Sequence, residues 1–241
     1  GAGIGGLTTA IALQRKGIEV DVYEQATELS VVGAGVSLWA NALKALHQLG
    51  LKPALDALSF VSETGALRRA DGQFLSRTTA PEFVRRFGLP TTVFHRAELL
   101  DVLVDAARSI PIHLGYRCRD FEQSGDRVTV QFSNGAQAPG DALVGADGLR
   151  SVVRERLGIH GALRFAGYTA WRSVAPFETR GLIAGESLGC GQRFGLVPIT
   201  RNRVYWYATD NAPEGSREDP QAAKERLLDL FRTWHSPIPS L

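Results

Sequence analysis

The chain has 241 residues, 44% of them apolar, enough for one large or two modest cores. Charged residues make up 22% and balance to a formal charge of +2, so no electrostatic feature calls for nucleic acid or an anionic membrane as partner. No apolar run approaches the ~20 residues of a membrane span, no basic-then-apolar leader opens the sequence, and Cys118 and Cys190 fit no metal or redox spacing, which points to reduced thiols in a cytoplasmic protein.

The sequence holds no methionine and opens directly on a glycine-rich turn, GAGIGG, so a preceding segment is expected. Leu7, Ala10, Ile11 and Leu13 then recur at near-helical spacing, with Gly17 as the stop. Residues 19–24 alternate as a short strand that ends on Glu24. Turn, helix and strand in this order read as a βαβ unit without its first strand.

A second glycine turn follows at Gly33, Ala34 and Gly35, and residues 42–51 carry Leu43, Leu46 and Leu49 on one helical side. Asp71 and Gly72 separate two strand-like runs within 60–77, a hairpin signal. Residues 95–108 predict a helix with a stripe of Leu99, Leu100, Leu103 and Val104. Strands are expected at 112–119, 127–132 and 142–145, with a turn at Ser133, Asn134 and Gly135. After Gly158 the pattern changes to consecutive strands rich in aromatic and β-branched residues, at 168–174, 194–199 and 204–209. Only 221–234 returns to helix. The shift from alternating α and β to successive strands marks a second, mostly antiparallel domain.

Gly1, Gly3 and Gly6 have the spacing of a dinucleotide fingerprint. Such glycines permit a tight turn and let backbone N–H groups reach a pyrophosphate at a helix N-terminus. In a chain with 26 glycines the bare pattern is weak. The helix that follows and the acid at Glu24, placed to accept from both hydroxyls of an adenosine ribose, strengthen it. The other reading is a surface turn and a surface acid. This unit alone does not separate one dinucleotide cofactor from another.

Three blocks in order settle the comparison: GAGIGGLTTAIALQRKGIEVDVYEQ, then VGAGVSLWANALKALHQLGL with HRAELLDVL, then LVGADGLRSVVRERLG. Together they resemble the FAD-dependent aromatic-ring monooxygenases of the p-hydroxybenzoate hydroxylase type. GAGVSLWAN, GYTAWR and RFGLVP bring the chain nearest to the urate and salicylate hydroxylase branch.

The resemblance implies an α/β fold: a Rossmann-like FAD-binding domain over residues 1–60 and 91–160, lacking its first strand, and an incomplete, mostly antiparallel substrate domain over 61–90 and 161–241. It also implies a second flavin motif, a Gly-Asp pair, that nothing in the sequence matches. Gly1, Gly3 and Gly6 would hold the pyrophosphate of a non-covalent FAD, and Glu24 its ribose. Ser37 would lie near the flavin end, Arg96 near the ribityl or pyrophosphate region, and the Cys118 backbone beside the adenine. Asp147 and Gly148 would form the Asp-Gly motif, with Arg154 close behind. Arg96 also reads as a solvated first-turn residue and Asp147 as a turn former.

The implied reaction uses NADH or NADPH to reduce FAD. O₂ then adds at the flavin C4a carbon, and the hydroperoxide passes OH to a small, electron-rich aromatic substrate. Only one nucleotide fingerprint is present, so the nicotinamide must visit a site without that signature. The catalytic contacts are expected on Arg193 and Tyr205, on strands joined by a turn near 200–203. Arg193, Gly195 and Val197 share a face by the period of two, and Gly195 leaves room for a ring. A solvated Arg193 and a core Tyr205 are the plainer reading, and Trp171 with Arg172 are the competing pair. Two other functions stay open: an NAD(P)-dependent reductase or dehydrogenase, and a flavin-binding module without turnover. No metal is expected.

Overall fold

The computed structural model describes residues 1–29, 34–159 and 161–241. In chain order the elements are α1 (Ile4–Gln14), β1 (Val22–Glu24), β2 (Gly35–Leu38), α2 (Ala40–Gln48), α3 (Lys52–Leu58), β3 (Phe60–Val61), β4 (Thr64–Arg69) and β5 (Phe74–Thr79). There follow α4 (Ala80–Phe87), β6 (Thr92–His95), α5 (Arg96–Ala106), β7 (Ile112–Leu114), β8 (Cys118–Ser124), β9 (Arg127–Phe132), β10 (Gln137–Gly140) and α6 (Val152–Arg156). The chain ends with β11 (Tyr168–Pro176), β12 (Ala184–Leu188), β13 (Arg193–Ile199), β14 (Arg203–Asn211), α7 (Pro220–Phe231) and a 3₁₀ turn at Ile238–Ser240. The fold is mixed α/β with antiparallel sheets. Among the described residues no helix is long and apolar enough to cross a membrane.

Two compact units divide the chain, one of Gly1–Val31 with Leu100–Leu163 and one of Val32–Leu99 with Arg164–Leu241. In the first, β1 and β7 pair in parallel, Val22 with Ile112 and Glu24 with Leu114. Leu7, Ala10 and Ile11 of α1 are buried, as the helical spacing requires. An antiparallel ribbon of β8, β9 and β10 completes this unit, and Val128, Val130 and Phe132 are its buried face.

The second unit is built on a six-stranded sheet in the order β11-β14-β13-β12-β4-β5. All its neighbours are antiparallel except β12 and β4, which run in parallel. One face is apolar: Phe194 and Ala208 pack with Phe231 of α7 and Ile238, and Trp171, Trp206 and Trp234 close around them. Phe194 stacks on Trp206 at 5.5 Å and meets Phe231 edge-on at 5.1 Å. A smaller sheet of β2, β6 and β3 belongs to the same unit.

Several sequence expectations shift. No strand forms at 142–145; the strand lies just before, at Gln137–Gly140, where an antiparallel partner, β9, is at hand. The run 112–119 breaks into β7 and β8 around Gly115, whose φ of 77° is a left-handed turn that no strand continues through. The helix expected from 42 begins at Ala40. The hairpin turn is present, with Gly72 at φ 90°. The Gly33 part of the second glycine turn lies outside the described residues. Helices α3 and α4 and strands β2, β6 and β12 have no counterpart in the sequence reading. α4 carries Phe83, Val84 and Phe87 at helical spacing, but it is short and none of its residues is buried.

Candidate functional site

In the first unit the glycine turn, Glu24 and the Asp147 segment come together although they are distant in sequence. A Cβ on Gly6 would fall 1.8 Å from the Gly1 carbonyl oxygen and 3.4 Å from the Ala146 methyl. A Cβ on Gly1 would fall 2.6 Å from the Ala146 carbonyl oxygen. Backbone therefore packs on backbone at both positions, and only glycine fits. Gly3 differs: beyond its own chain neighbours, no atom of the described residues lies within 4 Å of where its Cβ would be. It is the N-cap of α1, and no side chain among the described residues caps that helix end. The first-turn N–H groups are thus left for an incoming acceptor, the local requirement for binding a phosphate.

Glu24 closes this turn. Its Oε2 accepts from the Ala2 amide at 2.7 Å and its Oε1 from the Ala26 amide at 2.9 Å. Each oxygen keeps a further lone pair for a ligand hydroxyl. Glu24→Ala should therefore lower the stability of the cofactor-free protein by about 1–3 kcal/mol, because two amides lose a charged acceptor. Urea unfolding reads this directly, and an unchanged midpoint would mean that both amides are satisfied without Glu24.

Asp147 organises the start of α6. It accepts from the Ser151 hydroxyl and from the amides of Val152 at 2.7 Å and Val153 at 3.2 Å. Ser151 in turn caps the helix by accepting from the Arg154 amide at 2.9 Å. Burial alone would raise the Asp147 carboxyl, but these hydrogen bonds outweigh it and hold the group below its ordinary range. A depressed carboxylate stabilises the fold fully above its unfolded pKa of about 3.9, and the contribution is lost as pH falls through the folded value. Asp147→Asn should therefore flatten the acid limb of the stability curve. Parallel thermal-melting curves for both proteins between about pH 2 and pH 4.5 would remove Asp147 from that role.

Gly148, next in the chain, has φ 81°, a left-handed conformation that favours glycine. Cys118 begins β8 opposite Phe132. Burial, then the negative charges of Asp147 and Asp120, push its thiol up, so it stays protonated.

The remaining sequence-predicted residues lie in the second unit. Ser37 is exposed on β2 opposite Val93. Arg96 opens α5, and its amide donates to the Ala34 carbonyl at 2.7 Å. Arg96 is half-buried, and its guanidinium has no ion-pair or hydrogen-bond partner among the described residues.

Strands β13 and β14 are antiparallel neighbours, with Arg201 and Asn202 in left-handed conformations at the reversal. Register sets Arg193 opposite Thr209 and Tyr205 opposite Val197, on one face of the sheet. The two residues are thus four positions apart, about 13 Å at ~3.3 Å per residue. Tyr207 stands between them. Its ring fills the space over Gly195, where a Cβ would lie 1.9 Å from the Tyr207 Cε1. The room expected beside Arg193 is therefore taken at this point by the protein's own phenol.

Tyr207 donates to Glu186 Oε1 at 2.9 Å. Burial, followed by the Glu186 carboxylate and that hydrogen bond, pushes the phenol far up, so it remains a neutral donor. Arg193 sits with its guanidinium carbon 5.8 Å from the centre of the Tyr168 ring. Tyr205 is 9% exposed and packs with Val93 and Ile199. A Cβ on Gly35 would fall 2.3 Å from its ring, so β2 and β14 touch there. Arg172 pairs with Tyr207 across β11 and β14 and is exposed. A cavity of about 440 Å³ opens along this face, lined in part by Tyr168, Glu186, Gln192, Arg193 and Thr209.

Sequence reading missed Tyr207 and Glu186. The alternation in VYWYAT puts Tyr207 on the face of Tyr205 and could have found it. Glu186 required the position of β12, which the sequence did not reveal.

A family described as FAD binding domain matches residues 1–236, and the chain belongs to it. It is 40% identical over 243 residues to aurachin C monooxygenase/isomerase of Stigmatella aurantiaca, covering 100% of this chain and 63% of that protein. To the FAD-dependent urate hydroxylase of Klebsiella pneumoniae it is 32% identical over 252 residues, covering 100% of this chain and 64% of the relative. Klebsiella pneumoniae HpxO, solved with FAD and uric acid, superposes with a TM-score of 0.91 at 31% identity, over 100% of this chain and 62% of that one. The chain thus spans somewhat under two thirds of the length of these relatives.

Proposed function

We propose that this chain belongs to an FAD-dependent monooxygenase that hydroxylates a small aromatic or heteroaromatic molecule, with NADH or NADPH and O₂ as co-substrates. The observation that carries the reading is the convergence of the Gly1–Gly3–Gly6 turn, Glu24 and the Asp147 segment on one uncapped helix N-terminus. The names of the relatives, a urate hydroxylase and an aurachin C monooxygenase among them, support the same class of reaction.

The first unit is read as Rossmann-like, on the order of glycine turn, α1 and β1 and on the parallel β1–β7 pair. Residues 1–60 and 91–160 are assigned to FAD, and 61–90 and 161–241 to the substrate. The two free cysteines, Cys118 and Cys190, fit the reducing cytoplasm.

FAD, when bound, supplies the redox and oxygen-transfer chemistry. The chain's own residues bind and orient. Gly3 leaves a path to the α1 amides for the diphosphate, and the spare lone pairs of Glu24 accept from ribose hydroxyls. Arg96 offers a fork of donors to the diphosphate or ribityl region. Ser37 serves the flavin end, the Cys118 backbone the adenine, and Asp147 with Gly148 fixes the turn that faces the cofactor. Arg193 gives a cation to an anionic or phenolic substrate, and the Tyr205 hydroxyl orients a ring hydroxyl or takes its proton. Aromatic side chains on the sheet exclude water.

The complete gene product should purify yellow, and heat or acid should release free FAD. Flavin that stays with the denatured chain would contradict the non-covalent assignment.

A further inference from the structure

Across the central strands one row of side chains carries unlike charges on a common face. Register aligns Glu186 with Gly195, Gly195 with Tyr207, and Tyr207 with Arg172. Arg193 occupies the next row on the same face, opposite Leu188 and Thr209. Glu186 and Arg193 line one cavity of about 440 Å³, within the range that holds a small ring system. Gly195 is what makes the arrangement possible, since any side chain there would displace the Tyr207 ring.

We infer that Glu186, held in place by Tyr207, is the specificity-determining acceptor of this face, selecting rings that present an N–H or O–H donor over rings that carry a carboxylate. The inference rests on the reading of this face as the substrate site. Glu186 is half-buried, and of its two oxygens only Oε1 is engaged by Tyr207 among the described residues. The hydrogen bond turns the carboxylate into a fixed acceptor, and Oε2 remains for a ligand donor. Arg193, on the same cavity, answers the complementary need of a carbonyl or phenolate oxygen. A hydroxylated ring or a lactam offers that donor and acceptor side by side. A ring carboxylate would satisfy Arg193 but set a second negative charge in the same cavity as Glu186, and a pocket rejects what it leaves unpaired or repelled.

Calorimetry on the FAD-loaded complete gene product, without NAD(P)H, tests this with 2-quinolone and quinoline-2-carboxylate as matched probes. The wild type should bind the lactam about ten-fold or more tightly than the carboxylate. Glu186→Gln keeps an acceptor but loses the charge and gains an amide donor, so it should shift that ratio toward the carboxylate by about ten-fold. Tyr207→Phe, which frees the carboxylate without removing it, should lower lactam affinity by a smaller factor of about three. FAD content reports the fold of each variant. A ratio unchanged by Glu186→Gln, a wild-type preference for the carboxylate, or no binding of either probe would overturn the inference. If the ratio behaves as expected while no aromatic compound stimulates NAD(P)H oxidation, the monooxygenase reading fails and the acceptor role of Glu186 stands.

Discussion

Gly6→Ala is expected to give protein that neither reaches wild-type stability nor retains FAD, whereas Gly3→Ala should fold normally and lose most of its FAD affinity. The two glycines belong to one motif but meet different surroundings. A methyl group on Gly6 would sit 1.8 Å from the Gly1 carbonyl oxygen and 2.9 Å from its carbon. Those are backbone atoms, so the turn itself must open, at a cost in the upper part of the ~1–3 kcal/mol range of overpacking or above it. Gly3 has φ −75°, which alanine adopts freely, and apart from the adjoining chain no described residue comes within 4 Å of its Cβ position. Its methyl would occupy only the approach to the α1 amides. FAD titration of Gly3→Ala should show a dissociation constant raised by about ten- to hundred-fold, with the melting temperature of the FAD-free protein unchanged. Wild-type affinity in Gly3→Ala would mean that this turn does not cradle the diphosphate.

Arg193→Ala is expected to raise KM or lower hydroxylation coupling by about 10- to 100-fold, the loss of one charge-assisted hydrogen bond to substrate or its anion. FAD content should stay at the wild-type level. The guanidinium is exposed and carries no ion pair among the described residues, so its removal should leave the sheet intact. Its recorded neighbour is the Tyr168 ring, a contact worth little at an exposed site. Arg172→Ala is the control, because Arg172 shares the face and is also exposed. A silent Arg193→Ala beside an impaired Arg172→Ala would move the substrate cation to β11.

What could be read in the sequence was mostly what local chemistry determines. The glycine turn, α1 and β1 follow from glycine spacing and a helical apolar stripe, and the antiparallel β13–β14 pair from two aromatic strands around a short polar turn. Position along a ladder was not legible. Arg193 and Tyr205 share a face as alternation requires, but their four-residue offset depends on where the reversal at Arg201 and Asn202 falls. The Glu186–Tyr207 hydrogen bond joins residues from β12 and β14, strands separated by β13, and no local pattern records such a contact. Glu24 illustrates the same divide. Its position as an acid at the end of a strand could be read, but not that both its oxygens already serve the amides of Ala2 and Ala26.

FAD held on this chain's glycine turn is proposed to serve oxygen transfer to an aromatic ring. The most direct measurement is NAD(P)H oxidation by the FAD-loaded complete gene product under ¹⁸O₂, with a panel of hydroxylated and lactam-bearing aromatic compounds and mass analysis of the products. At least one compound should stimulate NAD(P)H oxidation and leave as a hydroxylated product that carries one ¹⁸O atom. A protein that is colourless and takes up NAD(H) but no flavin would contradict it. So would a yellow protein whose NAD(P)H oxidation no compound stimulates and whose oxygen ends entirely in H₂O₂.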